Sequence, residues 1–149
     1  MTQAQPQIAL HLHFAGTARH AMLFYQHVFG GDLTVDGFSD FNAGEPGAEL
    51  DHVLHATLYT PLGFTISASD SVQGLTHTAR EHFALSLSSQ TITELTPYWD
   101  QLSAGGRIIS PFVQTPIGGY TGVCIDRYGV TWMLDVNTTV SNAAPAVRP

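Results

Sequence analysis

Polar and apolar residues alternate one by one from Ile8 to Phe14, with Leu10, Leu12 and Phe14 on one side and His11 and His13 on the other. That period of two predicts a strand. Gly16 and Thr17 break it, and the apolar period then lengthens. Ala18, Ala21, Met22, Tyr25, Val28 and Phe29 recur at helical spacing and predict one buried stripe, leaving His20, Gln26 and His27 in solvent. Gly30 and Gly31 end this helix, because glycine accepts the left-handed cap conformation. A second strand starts over 32–35, and residues 36–51, rich in Gly, Asp and Glu with Pro46 among them, predict a long surface loop. Two further strands follow, Val53–Tyr59 and Phe64–Ala68, joined by the turn Thr60-Pro61-Leu62-Gly63. Alternation assigns Leu54, Ala56, Leu58, Phe64, Ile66 and Ala68 to the core side. His55, Thr57, Tyr59, Thr65, Ser67 and Ser69 fall on the opposite side.

After a polar stretch over 70–81, the same order begins again. His82–Leu87 alternates as a strand, with Phe83, Leu85 and Leu87 against His82, Ala84 and Ser86. Thr91-Ile92-Thr93-Glu94 has capping-box spacing, and Ile92, Leu95, Trp99 and Leu102 supply a helical stripe. Pro97 fits the first turn of a helix capped by Thr96. Gly105 and Gly106 stop the helix, and a strand starts over 107–109. Residues 111–119 read as a connection, Tyr120–Ile125 as a strand, Asp126-Arg127-Tyr128-Gly129 as a turn and Val130–Val136 as the last strand. Residues 138–149 read as a loose tail.

The helix that ends in a glycine pair and runs into a strand therefore occurs twice, once over 21–33 and once over 98–108. Such internal similarity predicts two like modules. The expected fold is α+β. Two βαβββ modules form curved mixed sheets around a cleft, with the helices on the outer face. Residues 8–137 make one domain, with module one over 8–69, a linker over 70–81 and module two over 82–137.

The composition narrows the chemistry. Of 149 residues 44% are hydrophobic, enough for a core, and only 11% are charged. Twelve acidic residues against five arginines give a net charge of −7, which disfavours nucleic acid and anionic membranes. The chain has no lysine, which excludes lysine Schiff-base chemistry and a lysine-dependent phosphate loop. Cys124 is the only cysteine, so no intrachain disulfide can form, and its expected place is a buried one. The polar start of the chain lacks a signal-peptide pattern and no apolar run approaches a membrane span. These features fit a soluble cytoplasmic protein.

Several stretches together resemble the vicinal oxygen chelate superfamily, also called the glyoxalase and bleomycin-resistance fold. They are Phe14-Ala15-Gly16 with 21–31, Leu54-His55-Ala56, 83–87, and above all Gly122-Val123-Cys124-Ile125-Asp126-Arg127-Tyr128-Gly129-Val130-Thr131-Trp132-Met133. The D-x-[FY]-G-V-x-W-M block is similar to the PhnB-like group, whose domain carries the label demethylubiquinone methyltransferase. The resemblance covers about residues 8–137. It implies paired modules, a homodimer and, in metal-using members, four ligands from the first and last strands of both modules. By motif spacing those positions fall on Leu10, Ser67, His82 and Met133, of which only His82 suits a metal. A catalytic zinc takes three protein ligands. No metal or other cofactor is therefore expected. The other metal candidates are His55 and His13 or His11, which both flank position 10, with Asp135 on the last strand as a further donor.

Three functional readings follow. The favoured one is a small-molecule-binding protein without a complete metal-ligand set, with Tyr59, Ser67, Tyr120, Met133 and Asp135 as ligand contacts. The alternative is a metal-dependent lyase, isomerase or dioxygenase that uses His82 with a divalent zinc, nickel, manganese or iron ion, the metal polarising substrate oxygens. A third is metal-free catalysis with His55 or His82 as general base and Tyr59 or Tyr120 as donor. The methyltransferase label finds no support in the residues. Gly-Gly at 30–31, 105–106 and 118–119 ends helices or marks loops, and none follows a strand as a nucleotide-binding turn does.

Overall fold

The strand–helix–strand–strand–strand order forms twice in the computed structural model, which describes residues 9–37, 52–70 and 83–137. The chain divides into two units, Met1–Thr76 and His77–Pro149. The first unit holds β1 (His11–Phe14), α1 (Ala18–Phe29), β2 (Asp32–Gly37), β3 (Val53–Tyr59) and β4 (Thr65–Asp70). The second holds β5 (Leu85–Ser89), α2 (Ile92–Ser103), β6 (Arg107–Gln114), β7 (Tyr120–Ile125) and β8 (Thr131–Val136). Both sheets are mixed and share one topology, β1-β4-β3-β2 and β5-β8-β7-β6. In each, the first strand runs parallel to the fourth and the other pairs are antiparallel.

The predicted helical stripes are the cores. In the first unit Ala18, Ala21, Met22, Tyr25, Val28 and Phe29 of α1 are buried with Phe14, Val53, Ala56, Leu58, Ile66 and Ala68. In the second, Leu95, Trp99 and Leu102 are buried with Cys124, Trp132, Leu134 and Val136. Each helix covers one face of its own sheet. The repeated glycine pair also has a shared physical cause. Gly30 and Gly105 both have a positive φ, of 73° and 75°, which side chains disfavour. A Cβ on the second glycine would lie 2.0 Å from the Tyr59 carbonyl oxygen at Gly31 and 2.1 Å from that of Ile125 at Gly106.

The family-like block is a structural clasp. The Asp126 carboxylate accepts the Tyr128 and Val130 amides at 2.9 and 3.1 Å and the Trp132 indole N–H at 2.9 Å. In the first unit buried Asp70 accepts the amides of Gly16, Ala18 and Val53 at 2.8–3.0 Å. It thereby caps the amino end of α1, where Thr17 makes no side-chain cap bond.

Several expectations are corrected. Asp70 closes β4 and does not open the linker. β1 starts at His11, and β5 starts at Leu85, leaving Phe83 ahead of it and 79% exposed. Leu54 leaves the core side. β3 has one extra residue between the pairs Asp36↔His55 and Gly37↔Val53, so this bulge buries Val53 and turns Leu54 outward at 40% exposure. Pro97 is the sixth residue of α2, not in its first turn, and Thr91 is the N-cap without a side-chain bond. Glu94 accepts from Ser89 Oγ in place of closing a capping box. The supposed connection over 111–119 starts as strand: β6 continues through Pro111 to Gln114. Proline is tolerated there because β6 is an edge strand whose register slips between Ile108 and Ser110 and again before Val113. His82, the loop over 38–51 and the tail over 138–149 lie outside the described residues.

Candidate functional site

Each sheet has a face that its helix leaves open, and the polar members of the strands collect there. In the first unit the register sets His11 across from Ser67, His13 across from Ser69, and Ser67 across from Thr57. His55 stands across from Asp36 on β2, and Tyr59, 57% exposed, across from Asp32 and Thr65. Three imidazoles therefore share one face. The His11 ring lies 4.8 Å from that of His13 and 5.6 Å from that of His55. Ser69 Oγ bridges His11 Nε2 at 2.9 Å and His13 Nδ1 at 3.3 Å, and Thr57 Oγ1 meets His55 Nε2 at 3.0 Å. Partial burial, with the nearby charges of His13 and then His55, holds the His11 pKa below the usual imidazole range.

In the second unit the open face carries Ser86, Ser88, Thr121, Val123, Met133 and Asp135, by alternation against buried Cys124, Trp132, Leu134 and Val136. Thr121 Oγ1 donates to Asp135 Oδ1 at 2.8 Å, and Asp135 Oδ2 has no donor among the described residues. A pocket of about 240 Å³ opens at this end of the sheet, lined by Thr115, Ile117, Gly119, Tyr120, Thr121, Asp135, Val136 and Asn137. The turn after β6 shapes it: the Thr115 amide donates to the Gly119 carbonyl at 2.6 Å and the Gly118 amide to the Thr115 carbonyl at 3.0 Å. Gly119 must lack a Cβ, which would sit 2.5 Å from the Val136 carbonyl oxygen. The Thr115 hydroxyl is buried without a hydrogen-bond partner. Buried polar atoms are nearly always paired, so this one calls for an explanation.

The predicted site residues thus fall into two groups. His13, His55, Tyr59 and Ser67 share the open face of the first sheet. Asp135 and Met133 share that of the second. Tyr120 lines the pocket from the other side: it is in register with Val136, and its ring lies 6.2 Å from Phe112. His11, Ser69, Thr115, Thr121 and Asn137 are the additions. Thr121 meets Asp135 through the β7–β8 register, which the alternation pattern does not set. Thr115 was hidden inside a stretch read as a connection.

The superfamily's metal finds a poor fit in these residues. Of the four positions that the resemblance designates, Leu10 offers no side-chain donor, Ser67 a neutral hydroxyl and Met133 a soft thioether. Among the described residues no three His, Cys, Asp or Glu side chains are grouped to hold an ion. No helix among them is long and apolar enough to cross a membrane. Cys124 is buried, and burial with the Asp126 charge nearby pushes its thiol pKa up to about 11, which keeps it unreactive near neutrality.

Residues 6–135 match the sequence profile of the 3-demethylubiquinone-9 3-methyltransferase family. Among solved structures, protein PA1353 from Pseudomonas aeruginosa is 28% identical, covers 89% of this chain and 98% of its own, and superposes with a TM-score of 0.77. The PhnB protein from Bacillus cereus is 27% identical, with 89% and 100% coverage and a TM-score of 0.71. A glyoxylase/bleomycin resistance protein/dioxygenase domain from Frankia sp. EAN1pec is 16% identical over 91% of this chain and 93% of its own, with a TM-score of 0.61, and shares the fold. A search of curated proteins finds no match.

Proposed function

This chain belongs to the 3-demethylubiquinone-9 3-methyltransferase family, as a small-molecule-binding, PhnB-like member of the vicinal oxygen chelate superfamily without a complete metal-ligand set among its described residues, and we propose that its ligand occupies the pocket beside Asp135. The carrying observation is that a small pocket is lined by Asp135, whose Oδ2 accepts from no donor among the described residues. A ligand with an N–H or O–H donor suits that oxygen. Ile117, Val136 and the Tyr120 ring suit a short apolar body. The ligand class is a small amine or alcohol, and the net charge of −7 favours the amine.

Methyl transfer is not part of this proposal. A nucleotide-sized methyl donor is usually held by a parallel α/β sheet at a glycine-rich first turn, whereas each sheet here has four strands with a single parallel pair. We propose that the ligand is held without a resident metal, by a cytoplasmic homodimer. The lone buried cysteine supports the compartment. The edge strand β6 supports self-association, since Ile108, Ile109 and Val113 are each about half exposed along an edge that no described strand pairs. Native mass spectrometry of tag-free protein tests both: the account expects twice the chain mass with no bound metal, and a metal-loaded species would contradict it. Cell fractionation tests the compartment, and recovery outside the cytoplasm would contradict that part.

n-Butylamine is the probe for the pocket. Titrated into the protein, it should move the amide resonances of Thr121, Asp135 and Asn137. Asp135→Asn should weaken binding about tenfold, the scale of one hydrogen bond to a charged group. No binding, or equal affinity of wild type and Asp135→Asn, would overturn the assignment.

A further inference from the structure

The histidine cluster of the first unit is not used by the pocket of the second. We propose that His11, His13 and Ser69 form a separate binding site for a small oxyanion, a carboxylate or a phosphate, which loads together with a proton. The β1-β4-β3 order builds this cluster from residues far apart in sequence, since the parallel β1–β4 pairing sets His13 beside Ser69 and puts His11 one step along the same face. A hydroxyl carries one proton, yet Ser69 Oγ meets a ring nitrogen of both His11 and His13. At least one ring therefore turns an N–H toward it. His11 Nδ1 and His13 Nε2 remain without a hydrogen-bond partner among the described residues. Both residues are exposed, so a ligand can reach them.

Charge decides the ligand class. The chain has no lysine. The described arginines lie elsewhere: Arg19 on α1, Arg107 on β6 and Arg127 in the turn after β7. On this open face the described residues offer positive charge only as imidazolium. The facing groups on β4 are the hydroxyls of Thr65, Ser67 and Ser69, and on β3 they are His55, Thr57 and Tyr59. The described carboxylates on this face are Asp32 and Asp36 of β2. β2 lies three strand spacings from β1, about 14 Å, so Asp36 stands beside His55 and repels an anion toward the β1 edge. Two adjacent imidazolium ions repel each other, and an anion between them offsets that repulsion. Anion binding and proton uptake therefore favour one another. A metal ion at the same nitrogens would need neutral rings, and its binding would strengthen as pH rises, the opposite sign.

Sulfate is the probe, because it stays dianionic from pH 5 to 8. Histidine ring resonances report its binding to the full chain. Affinity should rise about tenfold as pH falls from 7.5 to 6.5, the mark of one proton taken up. His11→Gln and His13→Gln should each abolish that dependence while leaving the thermal unfolding midpoint at pH 8 unchanged. Acetate and inorganic phosphate arms then tell which oxyanion fits better, and selective binding of either supports the site. Sulfate affinity that is flat or rising with pH would overturn it. So would binding that survives both substitutions, or capture of zinc ion at pH 7.5 by the same rings. Butylamine binding at Asp135 is read separately, so either site can fail alone.

Discussion

Asp70 and Asp126 each gather three N–H donors on one carboxylate, and both are almost fully buried. Removing either leaves buried donors unmet. Asp126→Ala should lower stability by about 3 kcal/mol, read from chemical denaturation with the slope unchanged, whereas a loss under about 1 kcal/mol would contradict the clasp. The two were unequally legible. Asp126 stood out in the sequence as part of a motif, but spacing alone does not tell that the donors two, four and six residues on converge on it. Asp70 looked like the first residue of a polar run, because its donors at Gly16, Ala18 and Val53 arrive from other elements. His11 and His13 were visible as the polar side of a strand. Their meeting with His55 depends on strand order, which the alternation pattern does not encode.

At the scale of elements, period and glycine placement carried most of the information. Both helical stripes are the ones buried, apart from half-buried Ile92, and the second glycine of each pair sits where a Cβ would strike a strand carbonyl. The misreadings have local causes: a one-residue bulge at Leu54 and a proline admitted by an edge strand at Pro111. A second proline lies inside a helix. Pro97 removes one backbone donor from α2 and sits exposed. Packing of Leu95, Trp99 and Leu102 overrides its cost. Pro97→Ala should therefore stabilise the protein by about 1–3 kcal/mol, seen as a raised unfolding midpoint, and a lowered midpoint would show that the proline is needed where it stands.

For the whole molecule, the duplicated βαβββ order is the plan that the comparisons share, and two different open faces are what this chain makes of it. The first face concentrates imidazoles, the second a carboxylate with hydroxyls around a pocket. The resemblance predicted the plan but not this division of labour, because the positions it marks for metal ligands hold Leu10, Ser67 and Met133 beside His82. The proposed binding rests on donors and acceptors that the strands hold in register. The most direct test is a crystal structure of the protein soaked with n-butylamine. The account predicts density in the pocket of the second unit, with the nitrogen in hydrogen-bond contact with Asp135. Amine density elsewhere, with that pocket filled by its own side chains, would contradict it.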